Sequence, residues 1–215
     1  MTDPDYLKPY ADAMKEHGPA FEATLWNSPE KQLARFDVIE GMVDLTGRIV
    51  VDAGCGLGDL AQRLTESGVE YGLYIGLEAM EGFVDAASAR EIPEAAFAVA
   101  DFVADGRVFD DLQKHEILQG HAIDVVVFSG SLNTLGEGAM LNVLERAWEV
   151  AGEALVFNFL STRHHRGPAG DETAPAIRVD PVRVLEWAMQ RTPNVLFRQE
   201  YFQGHDATVA MLKTV

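Results

Sequence analysis

Short apolar runs alternate along this chain with longer segments whose apolar residues recur every three or four positions. Arg48 to Ala53, Tyr71 to Leu77, Ala95 to Ala100, Ile123 to Phe128 and Ala154 to Leu160 read as strands. The run Ile123 to Phe128 is apolar apart from Asp124 and rich in β-branched residues, the mark of a parallel strand buried on both faces. Helical spacing fills the intervals at Leu60 to Ser67, Met80 to Arg90, Val108 to Leu118 and Ala139 to Ala151. Gly68, Pro93, Gly120 and Gly152 stand just beyond their ends as stop signals. This alternation predicts βαβ units and a parallel sheet.

Both ends of the chain depart from the alternation. Tyr6 to His17 and Pro29 to Leu45 have helical spacing, with a break at His17-Gly18-Pro19 and an exposed-looking Trp26-Asn27 between them. Ser28 before Pro29 predicts a cap and first-turn pair. After Leu160 the segment Ser161 to Ala176 is polar, bears glycine and proline, and reads as a long loop of the functional kind. Asp180-Pro181 starts a helix through Gln190. Asn194 to Tyr201 and Ala207 to Leu212 then pair as an antiparallel hairpin across a short connection containing Gly204.

Composition narrows the chemistry. A chain of 215 residues holds one sizeable α/β domain, and 47% hydrophobic with 24% charged residues is ordinary for a globular protein. The formal net charge of −17 repels phosphate backbones, so nucleic acid is not expected as a partner. The compact basic stretch Arg163-His164-His165-Arg166 reads as a solvated loop. Cys55 is the single cysteine, which excludes an intramolecular disulfide and a cysteine-rich metal site, and no metal is expected. The acidic start Met1-Thr2-Asp3-Pro4-Asp5 has no apolar signal region, and no apolar run nears membrane-spanning length. A cytoplasmic protein with no membrane partner is expected.

The chemistry concentrates at Val50-Val51-Asp52-Ala53-Gly54-Cys55-Gly56-Leu57-Gly58-Asp59-Leu60. A strand ends in an acid, three glycines alternate, and a helix begins. Glycine lets a ligand approach the backbone, and the helix start presents free N–H groups and a positive dipole end. A dinucleotide fingerprint would place its third glycine one residue later and keep that site free of an anion. The early Gly58 and the following Asp59 therefore argue against a nicotinamide oxidoreductase.

An acid two residues before G-x-G-x-G resembles motif I of the class I S-adenosylmethionine (SAM)-dependent methyltransferases. The resemblance runs through nearly all of the chain from Ile49 onward. It implies a Rossmann-like, doubly wound, mostly parallel seven-stranded sheet with a C-terminal antiparallel hairpin. Residues 1–46 are then an N-terminal helical lid and 47–215 the SAM-binding domain. It implies SAM as cofactor, leaving S-adenosylhomocysteine (SAH), with Asp52, Gly54, Cys55, Gly56 and Gly58 around the methionine end. Glu78, twenty positions after Gly58 and followed by Ala79 and Met80, takes the place of the ribose-binding acid. Asp101-Phe102 takes the place of the adenine-binding pair, and Ser129 after the fourth strand that of a residue lining the methionine end. Asn133 is a candidate for facing the substrate. Trp26 and Gln32-x-x-Arg35-Phe36 resemble a pattern preceding motif I in small methyltransferases, with Arg35 as clamp for the SAM carboxylate.

The Pro-Pro-aromatic signature of nucleic-acid amino-methylating enzymes is absent after Phe128, in keeping with the acidic charge. The reading is methyl transfer to a small-molecule acceptor by direct in-line displacement, with His165 and His205 as candidate bases. A non-catalytic SAM- or SAH-binding module and a protein methyltransferase stay open beside it.

Overall fold

The computed structural model describes residues 5–164, 167–168 and 174–214. Its strands are β1 Ile49–Ala53, β2 Leu73–Glu78, β3 Ala95–Val99, β4 Val125–Phe128, β5 Ala154–Ser161, β6 Arg163–His164, β7 Gly167–Pro168, β8 Arg178–Val179, β9 Val195–Arg198 and β10 Asp206–Leu212. Its α-helices are α1 Lys8–His17, α2 Pro29–Glu40, α3 Asp59–Glu66, α4 Glu81–Ser88, α5 Val108–Gln113, α6 Glu137–Val150 and α7 Pro181–Met189.

The main sheet follows the path β3–β2–β1–β4–β5–β10–β9. The first five strands are parallel, and β10 enters antiparallel between β5 and β9. Strand order reverses between β1 and β4, so the crevice beyond their carboxyl ends is the place where this architecture receives ligands.

Alternate residues of the central strands feed two cores, because strand side chains point to opposite faces. Val51, Val126, Phe128, Leu155 and Phe157 pack with Met140, Leu144 and Trp148 of α6 and Val184 and Trp187 of α7. Val50, Val125, Val127 and Val156 face the other way, onto Phe36 and Ile39 of α2 and Leu60 and Leu64 of α3. Burial on both faces explains why the central strands are predominantly apolar and why β4 is apolar throughout.

Several boundaries differ from the sequence expectation. Among the described residues the main sheet has eight strands rather than seven: β5 runs past the end of β4, and β8 pairs with its last residues, Leu160 and Ser161. Within the expected loop after Leu160, β6 and β7 form a short antiparallel ladder. Helix α2 stops at Gly41, and the periodicity continues only because Met42 and Leu45 are buried in the turns that follow. The amphipathic stretch from Val108 to Leu118 splits. His115 accepts a bond from the Ile117 N–H at 3.2 Å and starts a separate 3₁₀ turn, Glu116–Leu118. Ser28 caps α2 as expected, accepting from the Lys31 N–H at 3.3 Å. Trp26 is half-buried instead of exposed, stacked on Arg35.

Candidate functional site

The loop after β1 is pinned from below. Leu77 O accepts the N–H groups of Gly54 at 2.7 Å and Cys55 at 3.1 Å, which fixes the loop against the end of β2. Gly54 has φ +84°, and a Cβ there would lie 2.2 Å from the Ser131 Cβ. Ser131 in turn donates to Ala53 O at 2.6 Å, locking the turn after β4 to the end of β1. Gly58 starts α3 at φ +75°, and a Cβ would press 2.9 Å from the Phe97 ring. Gly54 therefore serves close approach around the cavity, and Gly58 serves helix–sheet packing.

A cavity of about 310 Å³ opens above this loop. It gathers Asp52, Gly54, Cys55, Gly56, Glu78, Ala79, Asp101, Phe102, Ser129, Arg35 and His205 from the sequence expectation. Gly58 and Met80 do not line it. His165 lies outside the described residues.

Three carboxylates stand along one side. Asp52 is buried at the end of β1, where Tyr74 donates its hydroxyl to Oδ2 in a short hydrogen bond. Its Oδ1 is buried and has no hydrogen-bond partner among the described residues. Burial pushes the Asp52 carboxyl up to about 7; repulsion from Glu78 and Asp59 adds to this, and the Tyr74 bond opposes it. Glu78 accepts from the N–H groups of Gly56 at 3.1 Å and Met80 at 3.0 Å. Burial raises it against the pull of those backbone donors. Met80 thus holds the acid in place from outside the cavity. Asp101 accepts from Val103 and Ala104 N–H through Oδ1, at 3.1 and 2.9 Å, and from the Tyr6 hydroxyl through Oδ2 at 2.7 Å. Phe102 turns its ring into the core, 6.1 Å from Phe109 and 5.6 Å from Phe128 between centroids.

The opposite wall comes from both ends of the chain. Trp26 lies over Gly130, and the Arg35 guanidinium stacks 4.4 Å from the Trp26 ring centroid and 5.3 Å from that of Phe202. Arg35 forms an ion pair with Asp206, and its Nη1 also donates to Lys31 O at 3.4 Å. Asp206 Oδ1 lies 3.0 Å from His205 Nδ1. Ser129 Oγ and Asn133 Oδ1 are buried without partners among the described residues, at the cavity rim beyond β4. Burial and the nearby Asp52 and Glu78 push the Cys55 thiol well up, so it stands as a neutral packing group. Among the described residues no cluster of three or more His, Cys, Asp or Glu side chains is placed to hold a metal ion. None of the helices there is long and apolar enough to cross a membrane.

Sequence reasoning missed Tyr6, Tyr10 and Asp206. The two tyrosines stand one helical turn apart, a signal that was present; Tyr10 lines the cavity, and burial together with Glu78 pushes its phenol up to about 12. Asp206 gave no signal, since its partner Arg35 is distant in sequence.

The unpartnered oxygens fit a ligand that brings its own donors. Asp52 Oδ1 suits an ammonium, the Glu78 carboxylate retains acceptor capacity for a diol, and Asp101 for an exocyclic amine. No family model and no curated protein matches the sequence. Solved structures match the fold. Magnesium protoporphyrin IX methyltransferase (ChlM) from Synechocystis PCC 6803, with bound SAM, matches over 100% of both chains at a TM-score of 0.65 and 13% identity. The DhpI–SAM–HEP complex matches over 100% of both chains at 0.65 and 11% identity. A SAM-dependent methyltransferase from Aquifex aeolicus matches over 94% of this chain and 97% of its own, at 0.55 and 16% identity. The chain has the fold of the class I SAM-dependent methyltransferases.

Proposed function

We propose that the protein is a SAM-dependent methyltransferase acting on a small-molecule acceptor. The observation that carries this reading is the buried, unpartnered Asp52 Oδ1 opening on the same cavity as Glu78 and Asp101. Asp52 would take the ammonium of SAM, Glu78 its ribose hydroxyls and Asp101 its adenine amine, with the backbone of Gly54 to Gly56 against the methionine end. When bound, SAM supplies a methyl group already activated by a sulfonium. What remains for the chain is to orient an acceptor and exclude water, and proximity and orientation can supply about 7–11 kcal/mol of such a barrier. Ser129, Asn133, Trp26, Leu160 and His205 frame the acceptor's side of the cavity. The N-terminal segment acts as the lid, with Tyr6 and Tyr10 closing over the carboxylates. The acidic net charge supports an uncharged or cationic acceptor over a nucleic acid.

Calorimetric titration with SAM, SAH and NADH, on the wild type and on Glu78→Ala, tests the reading. Hydrogen bonds to a charged group contribute about 1.5–3 kcal/mol each, so loss of both ribose contacts weakens SAH by about 100-fold or more. Absence of SAM and SAH binding, or an NADH response in their place, overturns the proposal.

A further inference from the structure

The cavity wall holds a relay that the cofactor reading does not use: Arg35, Asp206 and His205. Asp206 is the first residue of β10, flanked by β5 through the register pair with Leu160, and its side chain is 1% exposed. A carboxylate this buried needs compensation. Arg35 provides the charge on one side, held between the Trp26 and Phe202 rings. On the other side stands the His205 ring, 3.0 Å away at Nδ1. His205 is partly exposed and lines the cavity, and its Nε2 has no partner among the described residues.

We propose that Asp206, anchored by Arg35, is a positioning residue. It holds His205 with the ring proton on Nδ1 and leaves the Nε2 lone pair free to take the proton of the methyl acceptor. The proposal rests on the methyltransferase reading. An acceptor O–H or N–H bond breaks, its proton passes to Nε2, and the acceptor atom keeps the electron pair, which would form the new bond to the methyl carbon as the methyl–sulfur bond breaks and leaves its pair on the sulfur of SAH. The imidazolium so formed donates its Nδ1–H to the Asp206 carboxylate, which balances the charge without itself taking up a proton. Arg35 fixes which carboxylate oxygen faces the ring and, as part of the wall of the site, supplies the counter-charge on the other side of the buried Asp206 carboxylate. The acceptors this relay serves reach the site still carrying the proton they must lose to a base, as hydroxyls and protonated amines do; a carboxylate has no use for it.

Long-range proton–nitrogen correlation spectra of the full chain, with histidine labelled by nitrogen-15, read the tautomer directly. His205 is assigned by its loss in His205→Gln. In wild type at mildly alkaline pH, Nδ1 carries the proton and Nε2 shows a lone pair. In Asp206→Asn the Arg35 guanidinium draws the amide oxygen, turning the amide NH₂ towards Nδ1, so the ring proton moves to Nε2. A wild-type ring protonated at Nε2, or a folded Asp206→Asn with the wild-type tautomer, overturns the proposal. Where Asp206→Asn does not fold, the wild-type spectrum alone decides. Calorimetry with SAH separates the two ideas: loss of SAH binding with the Nδ1–H tautomer intact removes the methyltransferase reading and leaves the relay without its reaction.

Discussion

Replacing Asp52 by Asn removes one ionisable group and almost no volume, so the variant reports what ionising that carboxyl does to the fold. The carboxyl stands at about 7 in the folded chain against an ordinary 3.8, chiefly because it is buried. Between those midpoints the folded state holds a proton that the unfolded state has lost, so stability falls as pH rises through the window and levels off above it. The slope is about 1.4 kcal/mol per pH unit, so wild type loses about 3 kcal/mol relative to Asp52→Asn between about pH 5 and about pH 8. Urea denaturation of both proteins at several pH values measures the difference. A ligand ammonium seated on Oδ1 favours the ionised form. SAH therefore binds wild type up to about tenfold more tightly per pH unit across the same window, and the slope vanishes in Asp52→Asn. A stability difference that stays level across the window refutes the burial argument. A wild-type affinity for SAH that ignores pH refutes the ammonium assignment.

Gly54→Ala forces a Cβ into the Ser131 side chain at a left-handed φ. Overpacking and backbone strain together cost about 2 kcal/mol or more, read as a lower urea midpoint, and a wild-type midpoint counts against the locked turn. Tyr6→Phe removes the 2.7 Å bond to Asp101. A hydrogen bond to a charged group is worth about 1.5–3 kcal/mol, so amide exchange over Lys8–His17 speeds up by about 10- to 100-fold, and unchanged exchange means that α1 is held by other contacts.

What was legible in the sequence is what local pattern determines. The central strands are buried on both faces, which accounts for Val125 to Phe128 being apolar throughout. Gly54, Gly56 and Glu78 were legible because a strand, a tight turn and a helix follow one another within a single βαβ unit. Gly58 and Met80 show the limit of that reasoning. Motif spacing put them at the site, yet Gly58 packs on Phe97 and Met80 contributes a backbone donor behind Glu78. Strand β8 is two residues long, too short to show a period, and exists because β5 outruns β4. The pair of Arg35 with Asp206 joins α2 to β10, and only the closed sheet brings them together. Sequence patterning carried Arg35 as a candidate but could not supply its partner.

The packing also divides the N-terminal region more finely than a boundary at residue 46. Helix α2 sends Phe36 and Ile39 into the same core as Val50, Val127 and Leu64, and its Arg35 compensates a carboxylate at the start of β10. Moving α2 would expose that apolar surface and leave the buried Asp206 carboxylate without its counter-charge, so it is part of the domain body. Helix α1 is different. Ala11 is its one residue with almost no exposed surface, and its ties to the body run through Tyr6 to Asp101, through Tyr10 to Thr134 and through Met14, which lies near Gly82 at the start of α4. Gly18, at φ +67° with open space around it, follows directly. Helix α2, by contrast, holds the opposite wall of the cavity in place.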